Sequence, residues 1–506
     1  MRELIIGLDL GTTALKIALF DKSGKMVAVS TQEYPLLTPH TDHVEVAPQT
    51  YWQSFKNGLD DLRQKTEFKP AEIKALGFSA QGETLFFLDK NDDPLRNAIV
   101  WMDNRAQDEA QALKKKFGDA TCFKMTGQVS FEPCWPASKV LWVKNNEPQL
   151  FLQIDKVLLI EDYFIYKMTG QFVAEGSLLT STTYWDINTK QYWPEMLEFI
   201  GIIKAQLPGI RESGEVVGTL NEAIAEELGL SPKTIVCTGA LDQAAGAIGV
   251  GNVREGGFSE NIGAALAICV PVAEPTFDPN GNMPLHYFIQ KDMYMVHTFT
   301  TGGMTLKWFR DVFSQAEKAI AELLDTDAYD LLSQEAAAIP PGCEGLTMLP
   351  HLTGSLAPDV NSKAKGVFYG FTLKHNRAHF VRAIFEAIGY IIRRNIDALA
   401  EMGIHVTELR SLGGGSKSAV WNQIKADITG KTLITVDCDE SACLGAAILA
   451  GKAIGLFPDI EKACKEMIHE KEHFLPNQEN QAIYERGYNN YKKLFKDLES
   501  LFEATY

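Results

Sequence analysis

The chain has 506 residues, 45% of them hydrophobic and 22% charged, a globular composition that excludes disorder over most of its length. A single hydrophobic core stops growing near roughly 250–300 residues, so two large lobes are the simplest division. Acidic residues outnumber basic ones by 65 to 48, giving a formal net charge of −17 that disfavours nucleic acid and anionic membrane surfaces as partners.

The chain opens with two strand-like runs, Leu4–Asp9 and Leu15–Phe20, joined by Gly11-Thr12-Thr13, and a third at Met26–Val29. Asp9 interrupts the first apolar run, so no secretory signal is expected there. Trp52, Phe55, Leu59 and Leu62 recur at three- and four-residue spacing and predict a helix from about Pro48 to Leu62. Strands are expected at Ile73–Ser79 and Leu85–Leu88. The order then recurs: Phe258–Ile262 and Leu266–Val270 form a second pair of runs around Gly263-Ala264. Glu408–Leu412, the glycine triplet 413–415, a helix near Ser418–Ile428, a strand Leu433–Val436 and a helix near Ser441–Ala450 follow. Strands giving way to helices argue an α/β fold built of two similar halves, 1–250 and 251–506, with the boundary near Val250–Gly256. No run free of Asp, Glu, Lys and Arg is long enough to span a membrane. The eight cysteines are scattered without a Cys-x-x-Cys pair, and a cytoplasmic protein with mostly buried thiols is expected.

Three segments carry candidate chemistry. The Gly-Thr-Thr turn offers N–H groups and hydroxyls to an anion, and Asp9 beside it makes sense if Mg²⁺ lies between carboxylate and phosphate oxygens; a plain hairpin with a solvated Asp fits equally. Asp242, the only charge between Lys233 and Arg254, sits among small residues where a carboxylate could accept a proton, or could cap a helix. Leu412–Ser418 is a glycine-rich turn opening a helix, able to take a phosphate or the face of an adenosine, yet it satisfies neither the Walker pattern nor the dinucleotide fingerprint. His469-Glu-x-x-His473 matches the zinc-protease motif, but its charged neighbours and Pro476 place it on a solvated surface.

In this order the segments resemble the FGGY carbohydrate kinases, which include glycerol and xylulose kinases. The likeness rests on Asp9–Thr13, Asn97–Arg105, Gly239–Gln243, Gly366–Gly370 with His379 and Glu386, Leu412–Ser418, and Leu444–Ala447. It implies two actin-like, ribonuclease-H-like lobes around a nucleotide cleft, with ATP and Mg²⁺ as cofactors and a small sugar as acceptor. Asp242 would be the general base and Asp9 would hold the metal. Thr12, Thr13, Lys16, Gly263, Ala264, Gly303, Lys307, Gly414, Gly415 and Ser418 would contact ATP. Gln81, Glu83, Trp101, Asp242 and Gln243 would line the sugar pocket. A homodimer is compatible with the resemblance.

Some positions depart from the family pattern. Ala264 replaces a usual threonine, Cys134 breaks the signature around Pro136–Trp142, and Gly82 stands where glycerol kinases carry a substrate-binding arginine. The expected acceptor is therefore a neutral pentulose or hexulose such as xylulose, in a pocket with more room than a glycerol site. A glycerol or polyol kinase, or a non-catalytic nucleotide-binding sensor of the actin type, are the competing readings.

Overall fold

The computed structural model describes residues 2–290 and 293–504. Its first sheet is built on a central strand, β1 (Leu4–Leu10), whose side chains are all buried except that of Asp9, which is partly covered. Antiparallel β2 (Ala14–Asp21) and β3 (Met26–Glu33) lie on one side of it. Parallel β4 (Ile73–Ala80) lies on the other, followed outward by β5 (Val216–Thr219) and β6 (Ile235–Cys237) in the order β5-β6-β4-β1-β2-β3, with the short β7 (Ala240–Leu241) also paired to β4. A separate antiparallel sheet of four short strands contains Leu85–Leu88 and Ala98–Ile99, and Trp101 opens the turn that follows the latter.

The second sheet repeats this plan. Its central strand β8 (Gly257–Ile262) pairs antiparallel with β9 (Ala265–Val272) and parallel with the later β12 (Glu408–Leu412). With β10 (Leu285–Tyr287), β11 (Tyr294–Thr301), β13 (Thr432–Val436) and β14 (Glu470–Phe474), the order is β10-β11-β9-β8-β12-β13-β14. Each sheet thus has a block of antiparallel strands, three in the first (β1, β2, β3) and four in the second (β8, β9, β11, β10), continued by two parallel strands and an antiparallel edge. The edge strand precedes its neighbour in sequence in the first sheet and follows it in the second.

Two helices lie between the sheets: α1 (Asp242–Gly249) and, far along the chain, α2 (Ser441–Ala453), which packs on α1 and on β1 and β4. Glycine permits this approach. A Cβ on Gly445 would overlap the Ala245 carbonyl oxygen, and one on Gly7 would overlap that of Cys443.

The strands and helices expected from the sequence are present, most of them extended by one to four residues. The His469–His473 segment forms β14, exposed along most of its length, so its histidines share no helix face. His473 pairs with Glu470 at 2.9 Å, and His469 is hydrogen-bonded to the Ser23 carbonyl. Among the described residues no helix is long and apolar enough to cross a membrane.

Candidate active site

Strand register builds the first half of the site. Asp9 on β1 stands opposite Lys16 on β2 and Ser79 on β4, and Ser79 stands opposite Ala240 on β7. Four strands therefore place Lys16, Asp9, Ser79 and Ala240 in one row, with Asp242 two residues beyond it at the first turn of α1. Ser79 Oγ donates to Asp9 Oδ1 at 2.7 Å. The Asp9 carboxyl is raised above its ordinary range, chiefly by burial, against the opposing pull of Ser79 and Lys16.

Asp242 is pushed up to about 7, first by burial and then by the Asp9 carboxylate, with Glu83 adding to the effect. Its Oδ1 accepts the Gln243 N–H at 2.6 Å. A carboxylate tuned close to neutrality beside two others is suited to take up a proton and release it within one cycle. Glu83, also raised by burial, sits at φ 58°, a left-handed conformation uncommon for a residue with a side chain.

The residues expected to meet phosphate occupy two hairpin tips. Thr13 is exposed at the first, and the Thr12 hydroxyl accepts the Trp101 indole N–H at 2.7 Å, tying this tip to a residue expected to line the sugar pocket. The Lys16 ammonium lies 2.6 Å from Glu440, just ahead of α2, and that bond raises Lys16 against the lowering effect of burial. At the second tip Gly263 and Ala264 are exposed. Their carbonyls accept the Gly303 and Met304 N–H groups at 3.0 and 2.8 Å. A Cβ on Gly415 would come within 2.6 Å of Ile262, so the glycine triplet lies directly against this tip. Gly414 is exposed. Ser418 caps the helix Ala419–Thr429 by accepting the Trp421 N–H at 3.2 Å. Lys307, exposed on the helix Met304–Phe313, pairs with Asp311 at 3.0 Å.

The expected sugar-pocket residues divide. Glu83 and Trp101 stand together, their carbonyls sharing the Lys139 ammonium at 3.4 and 3.1 Å. Gln81 is buried, with its amide directed to the Gly11 carbonyl at 3.1 Å. The Gln243 side chain faces the second lobe and accepts from Asn261 at 3.4 Å. Gly82 corrects the expected gain of room: a Cβ there would lie 3.2 Å from Leu241 Cδ1 and 3.3 Å from Ser181 Oγ, so neighbouring side chains already occupy that space.

Ser79, Glu440 and Lys139 were not singled out by the sequence reading. Ser79 and Glu440 reach the site only through long-range pairing. Lys139 carried a signal, a lone lysine in the apolar run Pro136–Val143, which places its ammonium indoors.

Among the described residues no three His, Cys, Asp or Glu side chains form a ready-made metal cage. Mg²⁺ at phosphate-handling sites commonly takes one or two carboxylates and completes its shell with water and phosphate oxygens, so the donor set around Asp9 fits such an ion.

Two duplicated α/β lobes with a packed helix pair between their sheets define a protein of the actin-like two-lobed class. The FGGY family of carbohydrate kinases matches with its N-terminal domain over residues 4–249 and its C-terminal domain over residues 269–454. The chain belongs to that family and is a carbohydrate kinase. It is 32% identical to the xylulose kinase of Bacillus subtilis (strain 168) over 506 residues, covering 99% of each chain. With the gluconokinase of the same organism it shares 29% identity over 507 residues, 100% of this chain and 97% of the other. The crystal structure of a ligand-bound xylulose kinase from Lactobacillus acidophilus is similar with a TM-score of 0.89 at 28% identity and full coverage of both chains.

Proposed function

We propose that this kinase transfers the terminal phosphoryl group of ATP to a hydroxyl of a neutral pentulose or hexulose the size of xylulose, with Asp242 as general base. The observation that carries the acceptor class is the charge around it. Asp9, Asp242 and Glu83 converge there, while the two cations that face them are already engaged: Lys139, facing Glu83, directs its ammonium to the backbone carbonyls of Val100, Trp101 and Glu83, and Lys16, facing Asp9, is paired with Glu440. An aldonate carboxylate would meet this field without a free cation, whereas sugar hydroxyls can donate to it.

Asp242 accepts the acceptor hydroxyl's proton as the oxygen attacks phosphorus. Glu83 accepts from sugar hydroxyls, and the Trp101 ring covers a C–H face of the sugar. Thr12, Thr13, Lys16 and the Gly263–Ala264 tip surround the phosphates, with Gly303, Lys307, Gly414, Gly415 and Ser418 on the nucleotide side. Asp9 would hold Mg²⁺, which when bound supplies neutralising charge to the phosphates. Phosphoryl transfer gives protein groups little covalent chemistry, so positioning and charge dominate, and approach of the two hairpin tips excludes water.

A coupled ADP-release assay across xylulose, other neutral ketoses, glycerol and gluconate tests the reading. The xylulose and gluconate kinases among the relatives make both acceptors essential arms. The highest kcat/KM is expected for a neutral ketose; equal or better activity with glycerol or gluconate would overturn the assignment.

A further inference from the structure

Lys139 lies inside the helix Pro136–Asn146 and is fully buried. Its three donors match three acceptors: Nζ is 2.8 Å from the Val100 carbonyl, 3.1 Å from that of Trp101 and 3.4 Å from that of Glu83. It therefore has the arrangement of a bracket and not of a substrate ligand. Glu83 holds a left-handed backbone conformation, and such a conformation persists at a site only when its surroundings over-determine it. Lys139 grips this residue's main chain from one side, while Ser181 is hydrogen-bonded to its carboxylate. The Val100–Trp101 segment is fixed further by the Asp103 N–H, which donates to the Val100 carbonyl at 3.0 Å, while the Asp103 carboxylate accepts from Arg105 Nε at 2.8 Å and, on its other oxygen, from the Val44 N–H at 2.5 Å. Through Trp101 the bracket reaches the Thr12 hydroxyl on the phosphate hairpin.

Resting on the acceptor site proposed above, we propose that Lys139 is the positioning residue of the sugar pocket, its ammonium clamping the backbones of Glu83 and Val100–Trp101 so that both pocket walls keep one geometry. Glu83 and Trp101 touch the sugar before and during transfer alike, so loosening them weakens ground-state and transition-state binding together and raises KM more than it lowers kcat.

The clamp also has a pH signature. The ionisable groups facing Lys139 are Cys134, Asp103, Glu83 and Arg105, and burial lowers the lysine to about 8. Cys134 is pushed up to about 12 and stays a thiol there. Above about pH 8 the ammonium loses a proton, one of its three carbonyls loses a donor, and sugar affinity falls.

The test uses the full chain with whichever panel sugar gives the highest kcat/KM. Lys139→Met is expected to raise the sugar KM about 10- to 100-fold, with kcat changed less and the ATP KM within about threefold, as for a loss of binding shared by ground state and transition state. The parent enzyme is expected to lose kcat/KM for sugar above about pH 8, and this limb should vanish in the variant. A sugar KM changed less than about threefold, or an alkaline limb retained in Lys139→Met, would overturn the inference. If the variant does not fold, the parent profile decides: a sugar KM constant from pH 7 to 9.5 overturns it. Activity that prefers gluconate would overturn the proposed acceptor and leave this test intact.

Discussion

Asp242→Asn removes the proposed base while keeping shape and hydrogen-bonding atoms. With its carboxyl near 7, about one tenth of the parent molecules carry the ionised base at pH 6, whereas a carboxyl near its ordinary value of 3.8 would be almost wholly ionised. The kcat/KM of the parent should therefore fall about tenfold for each pH unit below roughly 6.5, and the variant should lose about 10²–10⁴ in kcat at pH 8 with no acid limb of its own. Stability supplies a second reading with a fixed sign. Folding raises this carboxyl, so the folded state is penalised as pH rises from 4 through 7 and the penalty is complete above 7. Asp242→Asn escapes it and should melt above the parent at pH 8, with the gap closing toward pH 4. ADP release from pH 5 to 9 and calorimetry at both pH values provide the measurements. A variant retaining more than about a tenth of parental kcat, or a parent profile flat down to pH 5, would refute the assignment.

Asp9→Asn should raise the Mg²⁺ concentration for half-maximal rate about tenfold, leave the sugar KM nearly unchanged, and move the parent's acid limb to lower pH because a like charge beside Asp242 is gone; Mg²⁺ titrations at several pH values check it. Lys16→Met should raise the ATP KM about tenfold while Glu440→Gln, which frees the ammonium, lowers it; shifts in the same direction would count against Lys16 as a phosphate contact. Gly445→Val should destabilise the protein by about 1–3 kcal/mol, since even a Cβ overlaps the Ala245 carbonyl, and an unchanged melting temperature would show that the helices separate freely.

The duplicated hairpins were legible because apolar runs such as Leu4–Leu10 and Ala265–Val272 are buried along almost their whole length, a pattern one sequence displays without partners. Asp242 was legible for the opposite reason, as an isolated charge in a small-residue stretch. Pairings were not. Lys16 with Glu440 spans 424 residues, and the bond between Trp101 and Thr12 spans 89, so nothing local encodes them. Gly82 misled because an absent side chain was equated with empty space, whereas Leu241 and Ser181 from distant segments fill it.

The seating of α2 against β1 and β4 bears on biosynthesis. Residues 441–453 cover a sheet whose first strand begins at Leu4, so on the ribosome the earliest apolar surface waits for nearly nine-tenths of the chain to be made. Until then that sheet face is open to other nascent chains, a situation that invites chaperone binding and slows completion of the fold through high contact order. A fragment ending near residue 250 would keep its strands yet lack this cover, and should be recovered as aggregate unless the segment containing residues 441–453 is supplied alongside it.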